Sequence, residues 1–365
     1  MPFLDDDGNL FGLVNVVDAL VVLLVLAVAI AGAALVFQPE PEPDSPDYAT
    51  TNATLDLGTQ PASIVAAINE GDTYNASSTS QLTITDVYLT PQGAETHVVL
   101  RVQLRGTPTG DSLTYADAPP RIGRLLDITT NRYQVNGNIR SVGGDNALDT
   151  ETTTVVLRDM MATADAEAVA PGDEIRITGR TVATIENVTT YATNDPAQRR
   201  VFVEADLQTY QQLGDRRFGG TQVRRGQSIT LPAEQYVIDG KIEQIGSGID
   251  GTTANRTVTL RMNDVREDMA EAFEPGMTER TGGKTVARVT NVSVEPSLMI
   301  TTGQNGSVNV VEHPLNREVT LTTELRVRET ASGVQFKGQP IRQGSSVVLD
   351  LGTITVEAQV VSIGS

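Results

Sequence analysis

The chain has 365 residues, with 46 acidic side chains against 27 basic ones and a net charge of −19. Such a chain repels phosphates, so no nucleic-acid partner is expected and anionic lipid is a poor one. Only three basic residues are lysines (Lys241, Lys284 and Lys337), and there is no cysteine, which removes disulfide and thiolate chemistry and leaves the redox compartment open. Abundant carboxylates with scarce lysine suit a halophile's protein, because hydrated acids stay soluble where salt screens charge.

Residues 1–18 form a short acidic tail. From Ala19 to Phe37 come nineteen residues without a polar side chain, twelve of them Leu, Val, Ile or Phe. As a helix this run covers about 28 Å, the hydrocarbon thickness of a bilayer, and predicts a single transmembrane helix over 19–37 with the lipid bilayer as its partner. Ala31-Gly32-Ala33 could pass for a signal-peptide cleavage site, but the run is long and no positive residue precedes it. Residues 38–52 follow as a spacer in which four prolines alternate with acids, an extended and self-repelling composition.

The rest of the chain carries one pattern three times. Arg121-Ile122-Gly123, Arg224-Arg225-Gly226 and Arg342-Gln343-Gly344 each stand ten residues before Tyr133, Tyr236 or Ile354. Each glycine lies nineteen residues after a leucine: Leu104, Leu207 and Leu325. Further upstream, Gly71, Gly172 and Gly276 each precede Val87, Val188 or Val292 by sixteen residues. Constant intervals over this length predict three tandem modules at 53–143, 144–246 and 247–365. The fold class expected is mainly β, with one short helix and five to seven strands per module, each a small barrel or sandwich.

In the first module Pro61 opens the helix, with Ile64, Val65 and Ile68 as its apolar stripe. In the third, Asp264 and Glu267 read as a capping box ahead of Met269, Ala272 and Phe273, two to three helical turns in all. The third module also spends fourteen extra residues between Val292 and Leu325. There Asn305-Gly306 separates two β-runs, which predicts a protruding hairpin over 298–311. Met299, Ile300, Asn305, Val308 and Val310 are the candidate contacts for a protein partner.

The opening Asp5-Asp6-Asp7-Gly8-Asn9-Leu10-Phe11-Gly12-Leu13-Val14-Asn15-Val16-Val17-Asp18, running into the apolar span, resembles an uncharacterised single-pass membrane family, domain of unknown function 4330. Asn291-Val292, Pro314, Arg342-Gln343-Gly344 and the closing Val360-Val361-Ser362-Ile363 are similar to the body of that family. The resemblance implies a membrane anchor and carries no catalytic residue to transfer.

The two histidines, His97 and His313, have no ligand-spaced neighbours, and no nucleophile elbow, phosphate loop or dinucleotide fingerprint occurs. No cofactor, metal or enzymatic activity is expected. Six Asn-x-Ser/Thr sequons, at Asn52, Asn75, Asn187, Asn255, Asn291 and Asn305, are candidate glycosylation sites. The expected function is a cell-surface or envelope interaction protein, with the N-terminus inside and the modules outside. A scaffold facing the cytoplasm and an enzyme acting on envelope polymers are the alternatives.

Overall fold

A computed structural model describes residues 9–10, 14–36, 48–248, 251–302 and 308–364, and divides at residue 49 into two units. In the first, strands β1 (Asn9–Leu10) and β2 (Val14–Asn15) pair, and helix α1 runs over Val16–Val36. The helix therefore begins three residues before the expected span and takes Asp18 into its first turn, where the dipole favours an acid. Its described large side chains, from Val17 to Ile30, point outward on every side and are 55–67% exposed. Among the described residues no helix is long and apolar enough to cross a membrane; the side chains described without a break in α1 are those of residues 20–33.

The second unit is almost entirely strand. Its first sheet holds β3 (Ala49–Gln60), β4 (Thr73–Asn75), β5 (Gln81–Gln92), β6 (Glu95–Thr109), β7 (Ser112–Thr114), β8 (Leu125–Thr129) and β9 (Gln134–Val142), with helix α2 (Ala62–Val65) after β3. The second holds β10 (Thr150–Ala162), α3 (Thr163–Ala168), β11 (Glu174–Ile177), β12 (Arg180–Ala192), β13 (Gln198–Gln212), β14 (Asp215–Phe218), β15 (Thr221–Gln222), β16 (Ser228–Pro232) and β17 (Val237–Ile245). The third holds β18 (Thr252–Arg266), α4 (Glu267–Ala270), β19 (Thr278–Thr281), β20 (Lys284–Thr302), β21 (Val308–Thr330), β22 (Gly333–Phe336), β23 (Gln339–Pro340), β24 (Ser346–Asp350) and β25 (Thr355–Ile363).

All three sheets share one antiparallel order: β4-β5-β6-β3-β9-β8, then β11-β12-β13-β10-β17-β16, then β19-β20-β21-β18-β25-β24. The repeated glycines explain why the intervals are constant. Gly123, Gly226 and Gly344 each have φ between +85° and +87°, the left-handed region where a Cβ is strained. Each donates its N–H at 2.8 Å to the equivalent carbonyl of the module's last strand, that of Ile139 in β9, Ile242 in β17 or Val360 in β25. Gly71, Gly172 and Gly276 likewise donate to Ile84, Ile185 and Val289 at 2.7–2.8 Å.

Each sheet curls until its two edges share a core. In the second module, Ile175 on edge strand β11 and Leu231 on edge strand β16 join one buried cluster. Across that seam the Tyr236 hydroxyl donates to Asp173 at 2.5 Å, and the Tyr133 hydroxyl to Asp72 at 2.9 Å in the first module. In the third module Ile354 and Met277 stand at those places and pack against the core instead.

Several expectations need correction. The first strand starts at Ala49, so the spacer ends before residue 52: the Asn52 carbonyl accepts from Gly143 N–H at 2.7 Å and its amide donates to Gly144. The first sheet has seven strands, within the expected five to seven, but the second and third have eight, because a small hairpin (β14–β15, β22–β23) follows the long one. Helix α4 is a single turn with Arg266 at its N-cap position, not a capping box. Asp264 lies upstream at φ +55°, where β18 slips register against β21 and turns the chain before the helix starts.

Candidate functional site

The modules meet through one recurring device. The free end of each long hairpin (β5–β6, then β12–β13) lies against the small hairpin of the next module. That small hairpin turns on two residues of positive φ following a buried aromatic: Tyr115-Ala116-Asp117, Phe218-Gly219-Gly220 and Phe336-Lys337-Gly338. Consecutive positive φ values are those of a type I′ turn, which matches strand twist.

At the first junction Tyr88 fills the contact. It is 6% exposed, packs on Tyr210 with ring centroids 5.0 Å apart, and donates its hydroxyl to the Gln208 carbonyl at 2.6 Å. Burial, with Tyr210 beside it, pushes its pKa far above the ordinary phenol. Gly219 N–H donates to Thr90 Oγ1 at 2.9 Å, and Arg180 donates to the Val87 carbonyl and to Glu70, both at 2.8 Å.

Beside this junction a cavity of about 610 Å³ holds His97, Asp56, Arg140, Tyr210 and Arg217. His97 is 5% exposed, bonds Asp56 at 3.0 Å, and keeps Nδ1 buried without a partner. Burial alone would raise the Asp56 pKa, but hydrogen bonds from His97, the Gly58 N–H and Arg140 hold it well below the carboxylate range. The equivalent positions carry ionisable side chains in the first two modules (Asp56, His97 and Arg140; then Arg158, Arg200 and Glu243) and at two of the three places in the third (Arg261 and Glu318, with Val361 third). Arg158 pairs with Glu243 at 2.6 Å and Arg261 with Glu318 at 3.4 Å. Signs change while the cross-strand pairing persists, so His97–Asp56 is one version of a repeated strand tie. His313 is placed differently: its Nδ1 accepts from the N–H groups of Leu315 and Asn316, closing a turn. Among the described residues, no three of His, Asp and Glu converge as a metal-binding group.

The second junction is built differently. Phe202 lies over Gly338, which has no room for a Cβ, and Tyr191 meets Phe202 edge-on at 6.0 Å. Behind them Lys337 and Glu279 form an ion pair at 2.5 Å with both side chains 4% exposed. Lys337 also donates to the Val348 carbonyl at 2.8 Å, and Glu279 accepts from Asp350 N–H at 3.3 Å. Burial pushes the Glu279 pKa up and the Lys337 pKa down, each opposed by the other's charge. Sequence reasoning missed this pair, since neither residue interrupts a readable pattern.

Among the described residues, the third long hairpin is not covered at its end by a small hairpin as the first two are. Its strands β20 and β21 pair Met299 with Val311, Ile300 with Val310 and Thr302 with Val308. Alternation puts Leu298, Ile300, Val308 and Val310 on one face, where they are between 62% and 73% exposed. Met299 faces the other way and is half-buried, and Asn305 lies outside the described residues. Of the sequon asparagines, Asn75, Asn187, Asn255 and Asn291 are exposed. Asn52 spends its amide nitrogen on the Gly144 carbonyl at 2.8 Å, and Asn305 again lies outside the description.

The family model Domain of unknown function (DUF4330) matches residues 1–143 and 248–364, well over half of the chain. The matched segments take in the first and third modules and leave out the second. No curated protein and no solved structure matches. The chain belongs to the family Domain of unknown function (DUF4330).

Proposed function

We propose that this protein is a membrane-anchored, non-catalytic interaction protein of the cell surface, which presents tandem β modules and contacts a protein partner through the end of its third hairpin. The observation that carries this reading is the aliphatic face Leu298, Ile300, Val308 and Val310, left exposed where the two earlier hairpin ends are covered. Monomeric domains rarely leave such a contiguous apolar surface bare without a use for it. The sequence supports the anchor: the nineteen residues from Ala19 to Phe37 carry no polar side chain and as a helix would reach about 28 Å. Neither flank carries lysine or arginine, so charge is silent on orientation. The exposed sequons and the acidic spacer favour the modules outside, and the acidic excess favours a saline milieu.

A photo-crosslinking residue at Ile300 or Val310, introduced into the full chain in intact cells, should give one discrete adduct. The same residue at Leu213, which is 85% exposed on another module, should not. Ile300→Asp should remove the adduct made from position 310. No adduct from either arm position, or the same adducts from Leu213, would overturn the assignment.

A further inference from the structure

The two junctions use the same strands, so each serves as a control for the other. Residues at matching places differ in a consistent direction. Tyr88, which fills the first junction, is replaced by Thr189 in the second. Where the large ring stood, there is a cavity of about 310 Å³. Tyr210 and Gln208, the neutral residues that receive Tyr88, become Arg328 and Arg326. Arg180, which Glu70 neutralises at the first junction, becomes Lys284, and Pro171 stands where Glu70 did.

The result is a cleft lined by Lys284, Arg326 and Arg328, with Lys337 at its back and no carboxylate in its lining. In a chain with 46 acids and three lysines, two of those lysines lie in this one cavity. Lys337 is neutralised by Glu279; among the described residues Lys284, Arg326 and Arg328 have no carboxylate partner. Beyond Ala287–Leu325 the strands part: Lys284 pairs with Thr281 of β19 and Arg328 with Gln335 of β22, and both side chains line the cavity that opens there. Arg326 and Arg328 lie two residues apart on one face of β21, about 7 Å along the strand. Tyr191 stands opposite them and feels both guanidinium groups as well as Glu279. Asn187, Thr189 and Gln335 add polar groups to the wall.

We propose that this junction is a binding site for a small ligand bearing a phosphate or sulfate group, gripped by Lys284, Arg326 and Arg328. Convergent unpaired cations in a concave site gain from a dianion what isolated surface bases do not, and arginine's fork matches such oxygens. The site does not depend on the hairpin contact or on membrane topology.

Binding can be measured by calorimetry on the full chain in neutral detergent, with inorganic phosphate, inorganic sulfate and glucose 6-phosphate as probes. At least one should bind, and Arg326→Gln or Arg328→Gln should each weaken it by about tenfold or more, as for a lost charge-assisted hydrogen bond. Lys241→Gln, on an exposed residue outside the cleft, should leave binding unchanged. Thr189→Tyr restores the first junction's plug and should abolish binding while the protein still unfolds cooperatively. The free ions binding as tightly as the ester would define an inorganic-anion site; the ester binding tighter would place the rest of the ligand against Tyr191. No binding of any probe, or binding indifferent to both arginine substitutions, would overturn the proposal.

Discussion

Replacing Lys337 with methionine should lower the stability of the modular body by about 3–5 kcal/mol, the loss typical when one member of a buried ion pair is removed. Glu279 would remain 4% exposed, with the Asp350 N–H as its remaining hydrogen-bond donor. Its pKa, already raised by burial, would rise further. A carboxyl whose folded-state pKa exceeds its unfolded value binds protons preferentially in the folded state. The deficit should therefore shrink as pH falls toward the ordinary carboxylate range and grow as pH rises. The repeat itself indicates the remedy, because the second module carries Ile175 and Gly219 at these two places. The double variant Glu279→Leu, Lys337→Met should recover most of the loss. Chemical unfolding of the three proteins at two pH values measures both effects, and a single variant as stable as the parent would show that the pair is not desolvated.

Gly219→Ala should cost about 2–4 kcal/mol, combining left-handed strain with overpacking. At φ +57° its new Cβ would sit 2.5 Å from the Pro91 carbonyl oxygen, a backbone atom that cannot rotate away. The same turn position in the first module carries Ala116 at φ +45°, and no preceding module lies against it. Ala116→Gly should therefore change stability by less than about 1 kcal/mol. A gain from Ala116→Gly as large as the cost of Gly219→Ala would mean that backbone strain alone, and not the first junction, makes Gly219 necessary.

The parts of this fold legible in the sequence are those that repeat at fixed intervals. Gly123, Gly226 and Gly344 mark one turn three times because only a residue without Cβ takes φ near +86° easily. The long hairpin of the third module was readable from alternation on both sides of Asn305-Gly306. The small second hairpin was not, since Ala116, Gly219 and Lys337 share a backbone angle and no side-chain property. Nor was the extent of α4, where a strand irregularity at Asp264 imitates a helix cap. The contrast between Tyr88 and Thr189 was present in the aligned copies, but which of them would face a neighbouring module depends on tertiary packing. That is also why His97 drew attention as a base and proves to sit at a strand tie.

Hydrogen exchange along the three long hairpins tests most directly the central claim that two hairpin ends are covered within the chain and the third awaits a partner. The full chain should be compared after purification in detergent and in membranes isolated from its own cells. Amides near Tyr88 and near Tyr191 should be protected equally in both. Those of residues 298–302 and 308–311 should exchange quickly in the purified chain and become protected by tenfold or more, on the order of 1.4 kcal/mol, in native membranes. Equal and rapid exchange of the third hairpin in both preparations would contradict the account.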